Sequence, residues 1–425
     1  MSGGLKRRLG RTDALAIALG GVIGVGVFRT TGTVLVGAGG VGAATALWIV
    51  AGVVCMAGAL VYGDLASRVP DAGGPYAYVR EGFGRVPAFA YGWLNAGISI
   101  PARQASVMAV IGEVINGFFP TIHARWFAIG ILVALTLLNL GGVHAGAIAQ
   151  RIFTTGKVGT ILLVIGLAVW ALTRPATTAF ADASPAVGAA TFAAAVAGVW
   201  YSYLGWQDLV LLAEEVHDPR KDLPWVLVVT VGSTIVLYSM LHIAVYVGLG
   251  DATSATVMPV KILAARTLGL GGVTLLSLLM LSSMVGGAAE GIMVRPRMAL
   301  ALARDGFGPK FLTRVSENGT PWAALVSNSG LVLVLLLTGT FAELLPLMTF
   351  TQGILGLVEC ASYFAVRRRR PTLPTMRFHP WGPLLFVAAN LALFVIEGLH
   401  DPWRAGISVG VLALATVTYV VIGRT

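Results

Sequence analysis

The chain is built from apolar stretches of about bilayer length, joined by short connections that hold most of its charge. Of its 425 residues, 56% are hydrophobic and only 11% are charged. Mean hydropathy is +0.83. About 20 consecutive apolar residues cross a bilayer as a helix. Lipid offers no partner for backbone N–H and C=O groups, so a spanning stretch of this kind must satisfy them internally, as a helix does. Twelve spans are predicted, near 14–37, 42–66, 86–116, 125–141, 152–173, 189–214, 224–249, 271–302, 322–340, 343–366, 382–399 and 405–422. This defines an all-α integral membrane protein with a single transmembrane domain, because no loop is long enough to join a second. Segment 14–37 is too long for a signal peptide and lacks an A-x-A cleavage pattern, so it is expected to stay in the mature chain.

Orientation follows from the basic residues. With the N-terminus inside, the inner segments carry Lys6, Arg7, Arg8, Arg11, Arg68, Arg80, Arg85, Arg151, Arg220, Lys221, Arg295, Arg297 and the run Arg367 to Arg370, among others. The outer loops carry only Arg125, Arg174, Lys261, Arg266 and Arg404. Both termini are therefore expected in the cytoplasm of a multi-pass protein of the cell (inner) membrane. The net charge of +10 reflects that orientation and not nucleic-acid binding, since no basic stretch joins a soluble domain. The arginine run reads as a stop-transfer anchor on anionic lipid of the bilayer. Cys55 and Cys360 fall within spans and read as small apolar residues.

Within the first span the stretch Ala16 to Thr30 carries Gly20, Gly21, Gly24 and Gly26. Each glycine weakens a helix by about 1 kcal/mol relative to alanine, so this helix is predicted to break. A break frees backbone polar groups and is tolerated only where it is buried in protein or lines a cavity. Close helix packing is the plainer use of such glycines. The sixth span tips the balance: Tyr201, Tyr203 and Trp206 crowd around Gly205, with Ser202, Gln207 and Asp208 at mid-span. Similar interruptions in spans one and six point to inverted repeats, with a midplane site where half-helix ends meet a charged substrate.

Charged residues inside spans mark the remaining positions of interest. Arg103 follows Pro101 in the third span, where structural pairing is the favoured reading over substrate contact. Lys157 sits between Gly156 and Gly159 in an apolar run and needs a partner. Arg151 is placed at the interface. In the eighth span Ser282, Ser283, Gly286 and Gly287 precede Glu290, which could hold a proton, pair with a buried cation or contact substrate. Glu359 and Glu397 read as structural, and His144, His217 and His242 are scattered singly. No metal-ligand spacing, nucleophile elbow or P-loop is present, so an enzyme is disfavoured and no cofactor or metal is expected. A channel, or a receptor-like protein, is the rival class; a channel would need a continuous polar lining that these sparse positions do not supply.

Several segments resemble the amino acid–polyamine–organocation (APC) transporters. Gly24-Val25-Gly26-Val27-Phe28 is similar to the first-helix signature, Arg68 to Gly84 to the segment between helices two and three, Glu214 to Pro224 to the segment after helix six, and Arg297 to Pro309 to the loop after helix eight. Within that superfamily, Ile100-Pro-Ala-Arg-Gln-Ala and Asn139 to Lys157 resemble the L-type amino acid transporters and bacterial permeases like them. The resemblance implies a five-plus-five inverted repeat, the LeuT-like fold, with broken helices one and six. Repeat one would span about 14–173, repeat two about 189–366, and two peripheral helices about 382–422.

It also implies sodium-independent secondary transport of amino acids by alternating access. Backbone around Gly21, Val22, Ile23, Gly24, Val25 and Gly26 would receive the substrate carboxylate, and carbonyls around Tyr201, Ser202, Tyr203 and Gly205 its ammonium. Tyr201 takes the place of a gating aromatic, and Gln207 that of a polar side chain facing the site. Lys157 matches a lysine whose ammonium replaces sodium, bonded to helix-one carbonyls and to a helix-eight hydroxyl, Ser282 or Ser283. Val25 and Glu290 depart from the pattern, toward a cationic or unusual substrate or a proton site. Exchange of neutral amino acids is favoured, with proton-coupled symport of amino acids or cationic amines as the alternative. Whether a partner subunit is required stays open.

Overall fold

The apolar segments fold as α-helices, and the interruptions in them fall at glycine and proline. In the computed structural model the described residues are 5–24, 26–173, 188–250, 258–339, 341–371 and 378–400, with positions 403, 406 and 410. Val25, Arg174, Arg404 and most of the predicted span 405–422 lie outside the described residues, as does the side chain of Glu397.

The first segment is two helices, α1 (Arg11–Val22) and α2 (Gly26–Ala38), whose axes are bent by 47°. The second is one helix, α3 (Val41–Arg68). Gly73 and Gly74, with φ of 90° and 46°, turn the chain into the short helix α4 (Pro75–Phe83). The third span runs through α5 (Arg85–Leu94), a π-helical turn (Asn95–Ser99) and α6 (Ile100–Asn116). Proline lacks an N–H and its ring crowds the carbonyl four residues earlier, which is why the helix widens just before Pro101.

Helices α7 (Ala124–Leu140) and α8 (Val143–Ala171) complete the first half of the chain. The sixth segment is α9 (Ala189–Ser202), a turn at Gly205 with φ 123°, and a 3-10 segment (Trp206–Glu215). Then follow α10 (Pro219–Leu249), α11 (Pro259–Val294), α12 (Pro296–Arg304), α13 (Trp322–Thr338), α14 (Phe341–Arg369) and α15 (Trp381–His400). The eighth predicted span, 271–302, is divided differently from expectation. Gly269 bends α11 at φ 66°, and Pro296 opens a separate helix α12.

Among the described residues, five helical stretches are long and apolar enough to cross a membrane, or six when α1 and α2 count as one. Helix α1 is enclosed by α8, α10, α11 and the 3-10 segment, while α10 lies along α3, α11 along α8 and α2 along α9. Glycine permits the closest of these approaches: a Cβ on Gly37 of α2 would stand 2.3 Å from the Thr191 carbonyl oxygen of α9. Large apolar side chains such as Val50, Leu137, Ile152 and Leu162 remain on the outside, as a lipid-facing surface requires.

Candidate functional site

A helix ends with its last carbonyls unpaired, and each must find a donor. At the end of α1 the neighbouring helices supply them. Lys157 of α8 donates to the Gly20 carbonyl at 2.5 Å, Tyr238 of α10 to Val22 at 2.9 Å, and Ser283 of α11 to Ile23 at 3.4 Å. Thr154 of α8 adds a bond to the Ala16 carbonyl at 2.7 Å. Three helices therefore hold the terminus of α1 in place, and α2 restarts only at Gly26.

Gly21 and Gly205 touch through their backbones. A Cβ on Gly205 would lie 2.3 Å from the Gly21 carbonyl oxygen, and one on Gly21 would lie 2.9 Å from that of Gly205. No other residue fits this crossing, and the positive φ of Gly205 independently favours glycine. The turn there is braced by Gln207, whose side-chain oxygen accepts the Gly205 N–H at 3.0 Å. Gly26 packs against Ser202, whose hydroxyl donates to the Gly198 carbonyl at 2.8 Å and lies 3.2 Å from that of Thr30. A Cβ added at Gly24 would meet nothing within 4 Å beyond its own turn, so this part of the break opens onto space.

The predicted site residues divide accordingly. The structure brings together Gly21, Val22, Ile23, Gly24 and Gly26 with Ser202, Gly205, Gln207, Lys157, Ser283 and Glu290. Tyr201 is 63% exposed at the end of α9. The Tyr203 ring turns away into a cluster with Trp48 and Tyr238, its hydroxyl donating to the Trp48 carbonyl at 3.0 Å. Ser282 is exposed, so of the two serines Ser283 is the one that meets α1. Val25 lies outside the described residues.

Beneath the crossing sits a layer of charge. Lys157 and Glu290 are 1% and 2% exposed. Glu290 approaches Gly21 and feels Asp208, Arg295, Arg103 and Lys157. Asp208 holds Arg295 at 3.0 Å and Arg103 at 3.3 Å through the same oxygen. Arg103 is thus paired, as expected of an arginine in an apolar span. Two roles do not emerge from the sequence pattern: Asp208 as the hub of two arginines, and Tyr238 as the brace on α1. An aspartate inside an apolar segment is the available signal for the first; the second has none, since its partner is a backbone atom.

Further along, the N-terminal segment is latched to the end of the 3-10 segment. Arg8 and Leu9 donate their N–H groups to the Glu215 carbonyl at 2.9 Å, and His217 returns its N–H to Leu9 at 3.0 Å. The Glu215 carboxylate forms a fully buried ion pair with Arg297 at 2.7 Å. Arg11 with Asp222, Arg151 with Asp13, Arg304 with Glu214 and Arg80 with Asp305 close the same end of the bundle. Glu359 receives the hydroxyls of Tyr62 and Tyr91.

A bundle of apolar helices in which two segments are interrupted at a shared crossing defines a membrane transporter class. Its fold matches the crystal structure of MhsT in complex with L-phenylalanine, with a TM-score of 0.65 over 95% of this chain and 100% of that one, at 15% identity. The chain belongs to the amino acid permease family, whose family model matches residues 9–421. Among curated proteins it is similar to the large neutral amino acids transporter small subunit 2 of Rattus norvegicus, 27% identical over 98% of this chain and 80% of that protein. It is likewise similar to the serine/threonine exchanger SteT of Bacillus subtilis, 26% identical over 96% and 94%. The protein is a multi-pass membrane permease of the APC superfamily and a transporter of amino acids, not an enzyme.

Proposed function

We propose that this protein is a sodium-independent exchanger of neutral amino acids working by alternating access. The observation that carries this reading is the ammonium of Lys157 on the Gly20 carbonyl, 2.5 Å away, where α1 ends. A fixed cation at that point supplies the charge that a bound sodium ion would otherwise bring, so substrate can bind without one. The twelve-span, five-plus-five arrangement follows, with α1/α2 and α9/3-10 as the two broken spans and repeats of about 14–173 and 189–366.

The substrate carboxylate binds the first amides of α2, at the positive end of that helix. Its ammonium binds the last carbonyls of α9 near Tyr201 and Ser202. Tyr201 gates the site from one side; the latch of Leu9, Glu215, His217 and Arg297 closes it from the cytoplasmic side. The activities for which these relatives are named, large neutral amino acid transport and serine/threonine exchange, support a neutral zwitterion as substrate. Proton symport is the second reading, favoured by the buried Glu290 beside Lys157.

Uptake of radiolabelled amino acids into proteoliposomes tests this. Uptake that requires internal amino acid and ignores sodium is expected. Uptake driven by a proton gradient into empty vesicles would favour symport instead, and no uptake of any amino acid under either condition would overturn both readings.

A further inference from the structure

The two helix breaks account for the α-carboxylate and α-ammonium of an amino acid, but not for the charges beside them. Lys157, Arg103 and Arg295 meet Asp208 and Glu290 in one layer. Lys157 and Glu290 are sealed and opposite in sign. Arg295 gives two nitrogens to Asp208, and both side chains are nearly enclosed, at 12% and 10% exposure. Arg103 is different. It reaches the already occupied oxygen of Asp208 with one nitrogen, at 3.3 Å, and keeps 33% of its side-chain surface accessible.

Its neighbours Ala102, Gln104 and Ala105 are buried. A guanidinium in mid-bundle does not face lipid, because the cost is several kcal/mol. The accessible part of Arg103 is therefore assigned to an internal space, and Tyr201, exposed at the end of α9, lies within electrostatic reach of Arg103. Three cations against two carboxylates leave one positive charge over, and it belongs to the group that is accessible.

We infer that Arg103 is a specificity-determining residue that receives a side-chain carboxylate, so that the substrates of this permease include amino acids with acidic side chains. The planar fork of a guanidinium matches a carboxylate through paired N–H donors, and Asp208 leaves most of those donors free to do so. The inference rests on the amino acid reading above and extends it from neutral zwitterions to those with one more negative charge.

The test is counterflow in proteoliposomes loaded with a neutral amino acid that the protein exchanges. External L-glutamate and L-aspartate are compared as inhibitors with their amide isosteres L-glutamine and L-asparagine. The acids are expected to inhibit at about tenfold lower concentration or less. Arg103→Gln is expected to shift the acid-to-amide ratio by about tenfold or more toward the amides, and Arg103→Lys to retain part of the acid preference. Acids that inhibit no better than amides in the wild type overturn the inference while amino acid exchange stands. If no amino acid is exchanged at all, the underlying reading falls and this one with it. Where Arg103→Gln does not fold, Arg103→Lys carries the assignment, and an acid-to-amide ratio unchanged from wild type in a folded variant at this position overturns it.

Discussion

Gly21 and Gly205 show how a single missing methyl group permits the central crossing. A Cβ at position 205 would overlap the Gly21 carbonyl, at 2.3 Å, and the backbone there has φ 123°. Gly205→Ala is expected to destabilise the protein by about 2 kcal/mol or more, through strain and displacement of α1, read as a lowered thermal unfolding temperature in detergent. Lys157 acts at the same scale. Lys157→Ala leaves the Gly20 carbonyl without its donor and removes one of the three cations that act on Glu290. Exchange is expected to fall by at least about tenfold while the purified protein stays monodisperse, since one lost charged hydrogen bond amounts to about 1.5–3 kcal/mol. Full activity of that variant would remove Lys157 from the mechanism.

At the scale of elements, the position of α1 depends on side chains from three other helices. Tyr238→Phe deletes the donor to the Val22 carbonyl without changing the shape of the aromatic cluster it shares with Trp48 and Tyr203. The expected result is a loss of about 1 kcal/mol in stability and a raised KM, checked by thermal unfolding and concentration-dependent counterflow. The latch is more demanding. Glu215 and Arg297 are both fully enclosed, so Arg297→Ala strands a carboxylate in the interior and is expected to cost about 3–5 kcal/mol. The double change Glu215→Gln with Arg297→Met is expected to recover much of that loss, because it removes the uncompensated charge; equal instability of the single and double variants would refute the argument.

At the scale of the whole molecule, the asymmetry of basic residues sets how the chain lies in the bilayer. An affinity tag appended after Thr425 should be protected from protease in intact spheroplasts and cleaved once the membrane is opened; cleavage in intact spheroplasts would reverse the orientation. The amino-acid sequence by itself determined the class of protein, because apolar stretches of bilayer length leave helices as the structure available, and because glycines at 20, 21, 24, 26 and 205 weaken helices wherever the chain goes. It also marked Lys157, the pair Ser282 and Ser283, and Glu290 as residues out of place in an apolar span. Only the tertiary structure decided which partner each of them has. That Tyr203 faces Trp48 and not the break, that Ser283 and not Ser282 meets α1, and that Asp208 gathers two arginines all depend on the rotation of one helix against another. Along α9 and α11 hydropathy differs little from side to side, so it carries little signal of rotation. Close packing and the pairing of buried polar groups fix it, and those join residues far apart in the chain.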